Sequence, residues 1–453
     1  MMQRQPAALF LFAFTQAWES FSYYGMRALL VLYLINALNY GEGDAFALYA
    51  VYTCLVEFGA FIGGYCADRF LGLRNTVILG GLSICIGHVL LTFADYQPLF
   101  FGGLAAIICG AMLFRSNLKA LVGTLYPDGD PRREEGFTLF YVGINLGGFL
   151  ATLACAYVAQ HYGWHAGFGL AAVGMILGMG VFMLLFPRVG IQVSVSGANV
   201  RTLCIGAPLL GLACVAVAGS IAYFHTTQGI LFPLGCLTLC MLMQKVSKFM
   251  TRQHLWGLIG MLGLLFAYFT FEELMGSLLM VFSENEVDRM WMGWEIPSSA
   301  LSATNPLVII SAGPLICLLL QKKGLTTVTK MAIAFLCLAF AFALLYLAAV
   351  NHAASAWQMI LSFAAIALGE LFLAPTVYAA CAELSPANHK GLMMGIVTLT
   401  FALASLASGQ VSQVATSVSG LFLGIACVSV CLALGLLLFR TGVVRKISCE
   451  GDA

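Results

Sequence analysis

Gln16-Ala17-Trp18-Glu19-Ser20-Phe21-Ser22-Tyr23-Tyr24-Gly25-Met26-Arg27 lies inside an apolar run from Ala7 to Leu38, long enough to cross a bilayer as one helix. A charged side chain at mid-bilayer costs roughly 2.5–3.5 kcal/mol on insertion scales, and this run carries Glu19 and Arg27. At about 100° per residue, Gln16, Glu19, Ser20, Tyr23 and Arg27 fall on one stripe about 100° wide. The polar groups therefore face protein or water, not lipid. Two readings follow: a buried network that only fixes helix packing, and the wall of a hydrophilic pathway, which is the default meaning of intramembrane charge.

Composition extends this to the whole chain. Of 453 residues, 61% are apolar and only 9% charged, against about 25% charged in a soluble domain. This is the composition of a polytopic protein whose partner is the lipid bilayer. The net charge of +1 lacks the basic footprint of a nucleic-acid binder. The fifteen cysteines, Cys54, Cys85, Cys109, Cys236 and Cys240 among them, lie mostly in apolar runs and read as small packing residues. No paired C-x-x-C motifs suggest a zinc site or disulfide framework. The first run is too long for a signal-peptide core and contains charges, so it reads as a retained span.

Spans of about 20 apolar residues are predicted at 7–38, 45–67, 75–94, 98–124, 136–160 and 166–187. After a polar break come 202–224 and 228–248, then 254–283, 298–320, 328–350, 355–383, 389–413 and 417–440. This reading gives about fourteen helices. It divides the chain into a six-helix bundle (1–187), a linker with two inserted helices (188–253) and a second six-helix bundle (254–453). Arg4, Arg69, Arg74, Arg132, Arg133, Arg188, Arg201, Lys245, Arg252, Lys322, Lys330, Lys390, Arg440 and Lys446 all fall on one side. The opposite loops hold Glu42, Asp44, Asp95, Glu284, Glu286, Asp288 and Glu295, with Arg289 as their one basic residue. Both termini are therefore expected to be cytoplasmic. Two helical halves around a central cavity is a common transporter layout. There is no G-x-x-x-x-G-K-[ST] loop, which disfavours an ATP-driven pump.

Gly64-Tyr65-Cys66-Ala67-Asp68-Arg69-Phe70-Leu71-Gly72-Leu73-Arg74 matches G-x-x-x-D-R-x-x-G-x-R, with Gly64, Asp68, Arg69, Gly72 and Arg74 at the defining places. It resembles the loop between the second and third helices of the major facilitator superfamily. Three more stretches narrow the likeness: Trp18 to Arg27, Asp130-Pro131-Arg132-Arg133 through Phe140-Tyr141-Val142-Gly143-Ile144-Asn145-Leu146-Gly147, and Gly369-Glu370-Leu371-Phe372-Leu373-Ala374-Pro375. Together with the inserted pair they resemble an atypical bacterial member of the proton-dependent oligopeptide transporter family.

The resemblance implies roles residue by residue. The family's first helix usually reads E-x-x-E-R; here those places hold Gln16, Glu19 and Ser20, so one acid survives and the usual proton relay is altered. Arg27 keeps its place, which implies pairing with an acid on the seventh helix, here Glu273, and holding a substrate carboxylate. Glu272 points about 100° away from Glu273. Phe269 stands where tryptophan is common, and Val397 likewise. Arg115 takes the place of a lysine; a guanidinium grips a carboxylate bidentately but does not donate its proton. Lys119, one turn on, is expected to reach the cytoplasmic interface. Asn145, Asn305 and Glu370 match positions that bind a peptide amino terminus, where a carboxylate flanked by amides suits an ammonium. Tyr23, Tyr24 and Phe269 offer walls for variable side chains.

Glu57 replaces a common tyrosine. It is a candidate for proton coupling alongside Glu19 and Glu273, a partner for Arg27 or Arg115, or a structural salt bridge. His88 in the third span is a conceivable proton carrier, but a histidine satisfied by a neighbouring helix is the more common arrangement.

The expectation is a secondary transporter in a bacterial inner membrane, not an enzyme. It would carry di- or tripeptides with protons by alternating access, as a monomer and with no cofactor beyond the proton gradient. The alternatives are another peptide-like or anionic cargo, or a sensor or facilitator that has lost proton coupling.

Overall fold

The computed structural model describes residues 5–127, 130–189, 200–323, 325–351, 354–386, 389–415 and 417–438. A bilayer offers backbone groups no water, so long apolar runs satisfy them internally as helix. The chain forms α1 (Ala7–Asn36), α2 (Glu42–Phe58), α3 (Ala60–Cys66), α4 (Gly72–Leu91), α5 (Gln97–Gly123), α6 (Arg132–Tyr162), α7 (Trp164–Leu185), α8 (Val200–Ala222) and α9 (Phe224–Val246). There follow α10 (Arg252–Glu272), α11 (Leu278–Asn285), α12 (Thr304–Lys323), α13 (Thr327–Asn351), α14 (Ala356–Glu383), α15 (Lys390–Val414) and α16 (Val418–Leu438). Among the described residues, eleven helical runs are long and apolar enough to cross a membrane. The 30-residue α1 is not one of them, because its polar stripe dilutes its hydropathy. Of the basic residues used for orientation, Arg4 and those in 440–446 lie outside the described residues.

Two expected spans are interrupted. The second splits at Gly59 into α2 and α3, where a side chain would collide with Met112 of α5. The span expected over 254–283 ends its α-helix at Glu272. It passes through a 3₁₀ turn, Glu273–Gly276, and restarts as α11 after Ser277 (φ −128°, ψ −97°). The motif at Gly64–Arg74 is not an open loop: Ala67–Leu71 form a π-helical turn, and Gly72 follows at φ 72°, where a side chain would be strained. Asp68 and Arg69 are exposed there, and the Arg74 guanidinium lies 5.1 Å from the Phe186 ring centre. At the start of α6, Arg132 grips Asp130 through Nε and Nη2 at 3.1 and 2.7 Å. These contacts hold the Asp130 carboxyl below the usual carboxylate range.

Contacts group the chain into two compact units, 1–40 with 55–227 and 41–54 with 228–453. The first part of α2 thus belongs to the second unit, and the inserted helices are shared out, α8 with the first turn of α9 to the first unit and the rest of α9 to the second. In the first unit, α1 packs on α6 and α7, α4 on α5 and α7, and α8 on α5. Leu9, Phe12, Ile84, Phe114, Met175 and Phe182 sit in its core. The α4–α5 crossing is made by small residues: Gly80 faces Gly110, and Gly87 faces Gly103. Ser83 Oγ donates across it to the Ala106 carbonyl at 2.8 Å. A Cβ at Gly110 would sit 2.6 Å from the Gly80 carbonyl oxygen, which is backbone and cannot swing away. Gly110→Val is therefore expected to destabilise the protein by about 1–3 kcal/mol, read as a lowered unfolding midpoint in detergent. An unchanged midpoint would refute the tight crossing.

In the second unit, α13 packs on α14 and α16, α10 on α15, and α12 on α14. Tyr268 donates to the Ile366 carbonyl at 2.5 Å, its hydroxyl lying against Gly369. Gln413 of α15 donates to Gln228 of α9 at 3.4 Å. After α11, the strands Met290–Trp291 and Trp294–Glu295 make a hairpin turned by Met292 (φ 50°) and Gly293 (φ 83°). Arg289, the lone basic residue on the predicted outer side, is buried there between Glu284 (3.3 Å) and Glu295 (2.9 Å).

Candidate functional site

The stripe on α1 builds a charge cluster in the first unit. Glu19 is 1% exposed, with Gln16, Ser20 and Tyr23 buried beside it. Its two carboxylate oxygens each take a donor: Arg115 Nε to Oε1 at 2.8 Å, and Gln16 Nε2 to Oε2 at 2.6 Å. Gln16 also lies 3.4 Å from the Ser20 hydroxyl. The Gln16 amide thus secures the Glu19 carboxylate from its own helix. Arg115 reaches from α5 with its Cζ 3.9 Å from the Tyr23 ring centre, while Tyr23 and Tyr24 meet edge to face at 5.2 Å. Glu57 of α2 lies 4.0 Å from Arg115 Nη1, one of its two candidate partners. A buried guanidinium is satisfied by pairing and hydrogen bonding together. The arrangement can therefore exchange one carboxylate partner for another.

Other predicted residues of this unit lie along the same helices. Arg27 and Tyr24 are half-buried on α1, and Lys119 is exposed on α5. Asn145 is buried on α6, its Nδ2 donating to the Tyr141 carbonyl at 3.1 Å. Sequence reasoning did not single out Asn117, whose Nδ2 donates to the carbonyls of Gly63 (3.0 Å) and Leu113 (2.7 Å), tying α5 to α3 near the helix interruption. His88 departs from the expectation of a satisfied histidine. It is fully buried on α4, and neither ring nitrogen has a hydrogen-bond partner among the described residues.

The second unit assembles another part. Asn305, at the start of α12, donates to Glu370 of α14 at 3.3 Å, which puts an amide beside a carboxylate. Of the three residues expected at a peptide amino terminus, these two are joined within this unit and Asn145 belongs to the other. Glu272 and Glu273 are both half-buried and straddle the point where α10 gives way to the 3₁₀ turn. Phe269 is 8% exposed and packs edge-on against Phe401 at 4.4 Å. Phe401 in turn stacks with Tyr378 at 6.1 Å, and Val397 is buried on the same helix as Phe401. No residue pattern marked Tyr378 or Phe401; an aromatic among apolar helix residues gives no signal of its own.

A family model described as the POT family matches residues 74–427. The chain is 31% identical to the transporter YclF of Bacillus subtilis, over 97% of this chain and 94% of that one. It is 28% identical to dipeptide and tripeptide permease A of Proteus mirabilis, over 90% of this chain and 86% of the permease. Among solved structures it is similar to a peptide transporter POT in complex with sulfate (TM-score 0.87, 28% identity, 99% and 97% of the two chains). It is similar also to a POT family transporter in complex with 5-aminolevulinic acid (TM-score 0.86, 26% identity, 98% of each). The expected helical membrane architecture of the major facilitator type therefore holds.

Proposed function

We propose that this chain, which belongs to the POT family of peptide transporters, carries di- and tripeptides into the cell together with protons by alternating access. The family is one of integral membrane transporters, not enzymes. The observation that carries the proposal is Arg115 held between two carboxylates over the Tyr23 ring. A proton delivered to Glu19 removes the charge that holds Arg115, and the freed guanidinium can then take a substrate carboxylate in bidentate fashion. Arg27, on α1 with Glu19, is the second carboxylate anchor. The Asn305–Glu370 pair receives the peptide ammonium. Binding both backbone ends and few side-chain features suits a transporter of many short peptides. The permease relative, named for dipeptides and tripeptides, supports the same cargo. The gradient supplies the energy, and no cofactor is needed.

A second cargo is supported by the neighbour solved with 5-aminolevulinic acid. That molecule carries an ammonium and a carboxylate, the same two charges that the proposed anchors would take.

Arg27→Ala tests the anchoring. The KM for a dipeptide with a free carboxylate is expected to rise about tenfold to a hundredfold, the loss of one charge-assisted contact of ~1.5–3 kcal/mol. The KM for the same dipeptide amidated at its C-terminus is expected to stay put. Unchanged KM for the free-carboxylate peptide would remove Arg27 from the site.

A further inference from the structure

Two acids of the first unit share the Arg115 guanidinium, and they share it unequally. The Glu19 side chain is 2% exposed and takes two short donors, Arg115 Nε at 2.8 Å and Gln16 Nε2 at 2.6 Å. The Glu57 side chain is 41% exposed and meets Arg115 Nη1 at 4.0 Å, the edge of ion-pair range. The guanidinium therefore compensates Glu19, and much of the Glu57 charge is left over.

Glu57 lies in the last turn of α2, just before the interruption at Gly59. The run around it is apolar and long enough to span a membrane, and an ionised group in such a run faces protein or water, not lipid. Its exposed part is thus open to water, and to a solute that Arg115 holds.

A substrate carboxylate on Arg115 sharpens the imbalance. With Glu19 protonated, the guanidinium stands between two carboxylates, the substrate's and that of Glu57, and these repel each other. A cation on the substrate itself relieves that repulsion. Geometry decides which side chain can supply it. The free carboxylate belongs to the C-terminal residue, and a lysine there carries its ammonium on a flexible four-carbon stem. In an extended dipeptide successive side chains point to opposite faces. The N-terminal side chain therefore leaves on the other face, one residue further from Arg115.

Resting on the reading of Arg115 as a carboxylate anchor, we infer that Glu57 sets specificity for the C-terminal side chain of the peptide and favours a basic residue there. Lys119, one turn along α5 and itself exposed, also acts on the Glu57 charge. Together with the exposure of Glu57, this limits the gain to about that of a surface ion pair.

The test compares two isomers of equal composition and charge, Ala-Lys and Lys-Ala. Each competes with labelled dialanine for exchange across proteoliposomes without a proton gradient, which keeps a coupling role of Glu57 out of the readout. Half-inhibition by Ala-Lys is expected at about fivefold lower concentration than by Lys-Ala, a preference of ~1 kcal/mol. Glu57→Gln is expected to bring the two isomers together. Glu57→Tyr, which installs the residue common at this place in the family, gives the same readout should Glu57→Gln not fold. Equal inhibition by the isomers in the unaltered protein, or a preference for Ala-Lys that survives loss of the carboxylate, would overturn the inference and leave peptide transport standing. A protein that exchanges no dialanine at all would overturn the peptide reading, and this inference with it.

Discussion

Arg115→Ala is expected to abolish peptide accumulation and to destabilise the protein by about 3–5 kcal/mol, the range for stripping one partner from a buried pair. Glu19 is 1% exposed, and the guanidinium supplies one of its two donors. With Arg115 gone, Gln16 alone serves a buried carboxylate. Two companion variants separate structure from function. Arg115→Ala combined with Glu19→Gln removes the stranded charge, so the unfolding midpoint should recover while accumulation stays lost. Arg115→Lys keeps a positive charge but loses the Nε contact and the flat stack on Tyr23, so it should fall between the two in stability. An Arg115→Ala protein that melts like the unaltered one would show that the pair holds nothing together.

Glu273→Gln has an effect of comparable size on coupling and little on stability. Glu273 sits where α10 breaks into a 3₁₀ turn, and interrupted helices are where membrane transporters place their ion sites. Glutamine keeps the shape and gives up the exchangeable proton. Gradient-driven accumulation should therefore be lost, while exchange of labelled for unlabelled dipeptide across the membrane persists, because exchange needs no net proton movement. Full proton-driven accumulation by Glu273→Gln would take this residue out of the coupling path.

The fold was legible because insertion physics writes it into the chain: apolar runs of spanning length and one polar stripe on α1. The first-unit cluster was partly legible for the same reason, since charges 3.6 residues apart share a face. Its wiring was not. Gln16 reads in sequence as a lost acid, whereas in the structure it is a donor to Glu19. Glu57 had two candidate partners in sequence, and the structure places it 4.0 Å from Arg115. The break at Glu273 was invisible because Leu274 to Phe282 continue the same apolar pattern through it, and hydropathy does not report backbone angles. His88 misled the sequence reading: the general rule that buried polar groups find partners predicts a hydrogen bond, and none is made among the described residues.

The central claim, that peptide movement is driven by protons, is tested most directly by dipeptide uptake into proteoliposomes with and without an inward proton gradient. Dipeptide is expected to accumulate above the external concentration when the gradient is present, and to fall back to equilibration when a protonophore is added. Equilibration alone, unaffected by the gradient, or binding without uptake, would contradict it.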